Sequence, residues 1–162
     1  MNKLQTKQIR MILSDVDGVL TDGTLYYDHS GNIGKGFSTL DGYGISAWLK
    51  SGFEFGIVTG RDDPCVACRA KDLHIGIYHA GITDKRTTVE NIAKEFGLPL
   101  EQMAFIGDDL PDLPALQICG FAAAVSNATE AVKQIADYIT VRSGGTGAVR
   151  ELIDLLLLQC ER

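Results

Sequence analysis

Two short acidic stretches of this chain can do chemistry if the fold brings them together. The first is Asp15-Val16-Asp17-Gly18 and the second is Gly107-Asp108-Asp109. Between them in the sequence lie Thr59-Gly60-Arg61 and Lys85. Carboxylates held this close resist ionisation and destabilise a fold unless a cation relieves their repulsion. Oxygen ligands with no nearby His or Cys suit a hard ion, magnesium above all. A carboxylate can also attack phosphorus, which makes Asp15 a candidate nucleophile. Asp17, two residues on, can protonate a leaving oxygen and later activate water. A metal ion and Lys85 can neutralise phosphoryl oxygens as charge redistributes. The Thr59 hydroxyl and the backbone N–H of Gly60 can hold another oxygen.

Each piece alone has an ordinary reading. A DxDG is commonly a turn or a calcium-like loop, a TGR a strand end, a GDD a solvated turn, and a lysine at a helix start a surface group. Their joint occurrence after successive strands is what points to phosphoryl transfer. That argument needs elements that deliver all four pieces to one edge. Short apolar runs predict strands at 10–14, 53–59, 75–78, 103–106, 121–125 and 138–140. Helical periodicity predicts helices at 44–50, 65–72, 86–96, 111–118, 129–136 and 148–158. Pro64 suits a first helical turn, and Gly97 stops the helix whose stripe is Val89, Ile92, Ala93 and Phe96. This alternation predicts an α/β fold: a Rossmann-like parallel sheet with helices on both faces, in a single domain over residues 1–162. Ligands of such sheets bind beyond the carboxyl ends of the strands, where all four motifs fall. One segment departs from the alternation. Leu25–Tyr27 and Ile33–Phe37 flank Asp28-His29-Ser30-Gly31, which predicts a β-hairpin over about residues 23–38, inserted after the first strand. An isolated hairpin is marginal in water, so this one is expected to pack against something, another subunit included.

The bulk properties fit. The chain has 162 residues, 45% of them hydrophobic, with a formal net charge of −6. The charge argues against nucleic-acid or anionic-membrane partners without excluding an anionic substrate. Lys3, Lys7 and Arg10 precede only a short apolar run, Met11-Ile12-Leu13, so no signal peptide is expected, and no stretch reaches the ~18 apolar residues of a membrane span. The expected location is the cytoplasm, with Cys65, Cys68, Cys119 and Cys160 reduced. Cys65-Val66-Ala67-Cys68 lacks both a second CxxC and a place at the end of the first strand. It is read as two thiols on a helix rather than a redox or metal site.

The motifs Asp15-Val16-Asp17-Gly18-Val19-Leu20-Thr21-Asp22, Thr59-Gly60-Arg61, Lys85 and Gly107-Asp108-Asp109-Leu110-Pro111-Asp112 resemble those of the haloacid dehalogenase superfamily of phosphatases. With Asp41-Gly42-Tyr43-Gly44, Arg69 and Gly144-Gly145-Thr146-Gly147-Ala148-Val149-Arg150-Glu151, the likeness is to its small capless members, the 3-deoxy-D-manno-octulosonate 8-phosphate phosphatases of lipopolysaccharide synthesis. The resemblance implies Asp15 as nucleophile and Asp17 as general acid and base. It implies Mg2+ held by Asp15, the backbone carbonyl of Asp17, and Asp108, with Asp109 and Asp112 orienting Lys85 and metal-bound water. Thr59 and Lys85 would bind phosphate. Arg61 and Arg69 would meet the acidic sugar, with Gly18, Gly60, Asp41 and Gly42 also lining the substrate; an arginine fork suits a carboxylate. It further implies a homotetramer whose neighbouring hairpins close each other's sites. The likeness departs at Leu40, at Thr146 and at the chain end near Arg162, all places tied to recognition of the leaving group. A related nononate 9-phosphate stays open as substrate, although Arg61 favours the octulosonate. Two other classes compete: a phosphorylated receiver domain, whose Asp, Thr and Lys come in a different order, and a non-catalytic phosphatase-like oligomerisation module.

Overall fold

The computed structural model describes residues 9–160. The segment with Lys3 and Lys7, read above as lacking a leader, and the chain end at Arg162 lie outside them. Along the chain run β1 (Met11–Ser14), a hairpin of β2 (Tyr26–Tyr27) and β3 (Ile33–Gly34), α1 (Thr39–Lys50), β4 (Glu54–Val58), α2 (Pro64–Asp72), β5 (Ile77–His79) and α3 (Lys85–Phe96). Then follow β6 (Met103–Gly107), α4 (Leu113–Ile118), β7 (Phe121–Ala124), α5 (Glu130–Ile135), β8 (Tyr138–Ile139) and α6 (Ala148–Cys160).

The main sheet has six strands in the order β5-β4-β1-β6-β7-β8, and every pairing in it is parallel. Both faces are covered, so its strands read as continuous apolar runs instead of alternating ones. Met11, Ile12, Leu13, Met103, Ala104, Phe105 and Ile106 are all fully buried. Counted along the chain without the hairpin, the order is 3-2-1-4-5-6, the doubly wound arrangement. A receiver domain would have the order 2-1-3-4-5, so the sheet removes that alternative. Right-handed crossovers carry α1 and α2 over one face and α3, α4 and α5 over the other. The packing agrees: α1 lies on α6, and α4 lies on α3 and α5. No helix among the described residues is long and apolar enough to cross a membrane.

Three boundaries differ from expectation for physical reasons. Helix α1 starts at Thr39, not Gly44. Its glycines lower helix propensity, but they permit close approach: a Cβ on Gly42 would strike Arg69, and one on Gly44 would strike Arg150. Ser38 caps this helix, its side chain accepting from the Leu40 N–H. Ahead of α4, residues Leu110–Asp112 form a separate 3-10 turn, because Asp109 and Asp112 cap it reciprocally. The hairpin ladder is only two residues on each side; Phe37 has left it to pack against the core. Asp28 closes the hairpin turn, its carboxylate accepting from the N–H groups of Ser30 and Asn32.

Asp41 has a structural task. It is 2% exposed, and its Oδ1 accepts from the Arg150 N–H at 2.8 Å. It thereby caps the first turn of α6 from the first turn of α1 and joins the two helices. A side-chain cap of this kind contributes about 0.5–2 kcal/mol. Burial outweighs these hydrogen bonds and raises the carboxyl above its usual range.

Candidate active site

The chain runs from β1 outward to β5, then returns to lay β6 on the other side of β1. The loops after β1 and β6 therefore diverge at the switch point, where open α/β sheets bind ligands. A cleft of about 230 Å3 opens there, lined by Asp15, Asp17, Thr59, Gly60, Arg61, Lys85, Asp108, Asp109 and Asp112, with Ile82 and Pro111. Nine of the residues singled out from the sequence thus share one cavity although four strands supply them.

The loop after β1 is wound tightly. The Val16 carbonyl accepts from the N–H groups of Val19, Leu20 and Thr21. Buried Thr21 takes the Gly18 and Gly23 N–H groups on its hydroxyl. Gly18 has φ +85°, and a Cβ there would run into the Asp108 carboxylate. Only glycine lets the two acidic loops come this close. The Gly-rich segment braces this loop from behind: the Gly145 N–H donates to the Val19 carbonyl at 3.0 Å. Asn127 bridges the same parts, donating to the Gly18 carbonyl and accepting from the Gly144 N–H.

Lys85 is the first residue of α3 and is 4% exposed. Its Nζ donates to Asp15 Oδ1 at 2.8 Å and to Asp112 Oδ1 at 2.6 Å. Burial alone would lower this lysine, but Asp15 and Asp112 outweigh it and raise it above its usual value. Asp112 Oδ2 accepts from the N–H groups of Asp108 and Asp109. Asp112 is therefore a hub that orients both Lys85 and the loop after β6.

Asp15, Asp108 and Asp112 each place a carboxylate oxygen within 4.8 Å of the others. Their mutual cost is visible. Burial, then Asp112, pushes Asp15 up to about 6 from an ordinary 3.8, although Lys85 pulls the other way. Burial, then Asp15, Asp112 and Asp109, pushes Asp108 up to about 8. Such a set is short of positive charge, and Lys85 alone does not supply it. A hard divalent cation fits this donor set. The cluster takes in Asp112, which the sequence placed one layer further out, while Asp109 is exposed and caps the 3-10 turn.

Asp17 has partners that sequence reasoning missed. Lys35 Nζ lies 2.6 Å from Asp17 Oδ1 and 2.6 Å from Asp63 Oδ2. Arg61 Nε donates to Asp63 Oδ2 at 3.0 Å and stands 3.9 Å from Asp17 Oδ2. Asp63 occupies the N-cap position of α2 without capping it. Lys35, first among its partners, holds its carboxyl below the usual range. A search for polar residues after parallel strands reaches Asn127, two residues past the expected strand end at 125. It cannot reach Lys35, which follows a hairpin strand.

Arg69, Asp41 and Gly42 do not join the cleft. They line a separate cavity of about 10 Å3, room for about one water, with Leu20, Phe37 and Ser38 among its walls. The Arg69 guanidinium donates to the Ser38 carbonyl at 3.3 Å and lies over the Phe37 ring. Arg61 is at the cleft, while the exit of the hairpin holds Arg69. The N-terminus of α6 takes the Asp41 carboxylate, and Gly42 is pressed against Arg69. On α2, Cys65 and Cys68 are free thiols, as is Cys119.

Known proteins share this fold. Residues 63–152 match the model of the haloacid dehalogenase-like hydrolases. The chain belongs to that family, within its branch of 3-deoxy-D-manno-octulosonate 8-phosphate phosphatases. It is 40% identical over 151 residues to the Haemophilus influenzae 3-deoxy-D-manno-octulosonate 8-phosphate phosphatase KdsC, covering 93% of this chain and 84% of the relative. A crystal structure of the Moraxella catarrhalis phosphatase, in complex with magnesium, phosphate and the sugar acid KDO, superposes with a TM-score of 0.93. It is 41% identical and covers 97% of this chain and 89% of that one. A cobalt-bound structure of the Haemophilus influenzae enzyme has a TM-score of 0.92 at 39% identity, over 97% of this chain and 91% of that one.

Proposed function

We propose that this protein is a Mg2+-dependent phosphatase that hydrolyses 3-deoxy-D-manno-octulosonate 8-phosphate to KDO and phosphate. One observation carries the reading: Asp15, Asp108 and Asp112 converge with Lys85 at the switch point, inside one cleft. Those residues supply a buried carboxylate nucleophile, a fixed cation for phosphoryl oxygens, and ligands for a hard metal. The Moraxella catarrhalis relative, whose structure holds magnesium, phosphate and KDO, supports the choice of ion and sugar.

The steps follow from the side chains. The Asp15 carboxylate attacks phosphorus, and the bond from phosphorus to the sugar oxygen breaks. Asp17 gives a proton to the departing oxygen, then takes one from the water that attacks the aspartyl phosphate. Phosphate leaves and Asp15 is restored. Lys85, Thr59 and the Gly60 N–H hold phosphoryl oxygens throughout. Asp15, Asp108 and the Asp17 carbonyl, with Asp112 beside them, would hold Mg2+, which would supply neutralisation of charge on the phosphoryl group. Asp109 serves behind it. Gly18 lets the loop approach, and Arg61 at the mouth offers its fork to the sugar carboxylate.

The cleft of about 230 Å3 is smaller than the roughly 300–1,000 Å3 typical of closed ligand sites, so it takes the phosphoryl end and leaves the sugar at the mouth. A homotetramer supplies the missing wall, with hairpins of neighbouring subunits covering the sites. Tyr26 and Tyr27, 57% and 65% exposed, offer the surface for it. Light scattering is expected to give the mass of four chains; a monomer that hydrolyses the sugar phosphate at full rate would overturn this assembly. The working location is the cytoplasm.

Phosphate release from a panel of phosphosugars, with and without Mg2+, tests the reaction and the substrate together. The expected result is a strong preference for octulosonate 8-phosphate over nononate 9-phosphate, lost when the metal is chelated. Preference for the nononate would change the sugar, and no release from any member would return the chain to the non-catalytic module.

A further inference from the structure

We propose that Lys35 is a positioning residue that holds the Asp17 carboxyl group for proton transfer to the leaving oxygen and fastens the hairpin to that side of the site. This rests on the phosphatase reading above. The Lys35 side chain has no exposed surface. Lysine is almost never fully buried unless it is paired, and shielding it costs rotamer freedom and solvation. Its place is therefore specific, and it is set by two carboxylates at 2.6 Å each, Asp17 and Asp63.

Asp63 strengthens the case. An Asp at an N-cap normally turns back onto its own helix, yet here the carboxylate faces Lys35 and Arg61 and makes no cap bond. Asp17 Oδ1 is buried against Lys35. The side chain is nevertheless 25% exposed, so Oδ2 carries the open surface, and Asp17 lines the cleft. Lys35 thus fixes which oxygen is presented. Each catalytic carboxylate then has its own lysine: Lys85 sets Asp15, and Lys35 sets Asp17. Lys35 directly follows β3, so a displacement of the hairpin moves the group that aims Asp17. The hairpin acquires a task within its own subunit, separate from covering a neighbour.

Leaving groups of different basicity test this. An alkyl phosphate such as the sugar substrate needs a proton on its departing oxygen, whereas the aryl oxygen of p-nitrophenyl phosphate leaves with little help. The ratio kcat/KM reads only steps through the first irreversible phosphoryl transfer, so hydrolysis of the intermediate does not enter. With saturating Mg2+, Lys35→Met is expected to lose at least about tenfold more kcat/KM on the alkyl than on the aryl phosphate, within the range of general acid catalysis. Lys35→Arg is expected to recover part of that difference. Should Lys35→Met not fold, Asp63→Asn loosens the same tether and is expected to show the same pattern, smaller in size. Equal fold losses on both substrates, or a loss on neither, would overturn the proposal. Wild-type protein inert on both would instead overturn the phosphatase reading.

Discussion

Asp15→Asn is expected to lower kcat by more than about four orders of magnitude, because an amide cannot take the phosphoryl group and the rest of the site then works on nothing. The fold should survive. The substitution keeps the shape of the side chain, and Lys85 keeps Asp112 at 2.6 Å. Without metal the variant should melt no lower than the wild type. Burial and Asp112 push Asp15 up to about 6, so its charge is unfavourable in the native state at neutral pH, and the amide carries none. Malachite-green detection of phosphate, alongside thermal melts in a chelator, checks both halves. Residual turnover at a hundredth of the wild-type rate, with deamidation excluded by mass spectrometry, would place the nucleophile elsewhere.

The second large effect belongs to the metal and to pH. Native Asp15 and Asp108 sit at about 6 and about 8, against an ordinary 3.8. Between these values the metal-free native state holds more protons than the unfolded chain, so its stability falls as pH rises. The contribution is complete below about 4 and is lost through about 8. Metal-free protein is therefore expected to melt lower at pH 8 than at pH 5. Mg2+ prefers the ionised carboxylates, so it should bind more tightly as pH rises and cancel the fall. At a hundredfold excess over Kd, binding adds about 2.7 kcal/mol, or about 5–10 °C for a chain of this size. Calorimetry with Mg2+ and with chelator at both pH values reads the effect. A midpoint that rises from pH 5 to pH 8 in the chelator, or one that Mg2+ does not move at pH 8, would contradict the acidic cluster.

Much of this was legible in the chain. Each motif follows an apolar run long enough to be a buried strand, and parallel sheets put strand ends on one edge. That rule alone gathered Asp15, Thr59 and Asp108, and brought Lys85 to the start of α3. It failed where packing decided. The Asp41-Gly42-Tyr43-Gly44 stretch looks like a helix breaker, yet its glycines are there for Arg69 and Arg150 to pass. Asp41 is tied to the substrate by the resemblance alone; only the arrival of α6 shows where its carboxylate goes. Arg69 is tied to the sugar by the resemblance, which gives its position along the chain but not what covers it. Lys35 had no periodic signal, since its role depends on where a two-stranded hairpin lands.

The switch-point topology also bears on how activity can be acquired. The partners in the Lys85–Asp15 bond are 70 residues apart in the chain, and those in the Asn127–Gly18 bond 109 apart. Contacts of such separation close large loops and form slowly, and they repay their entropy only when the central strands have paired on both sides. Neither half of the chain can therefore hold a partial cleft. Catalysis is acquired late and all at once, which makes a nascent or truncated chain inert toward phosphate esters however much helix it has already formed.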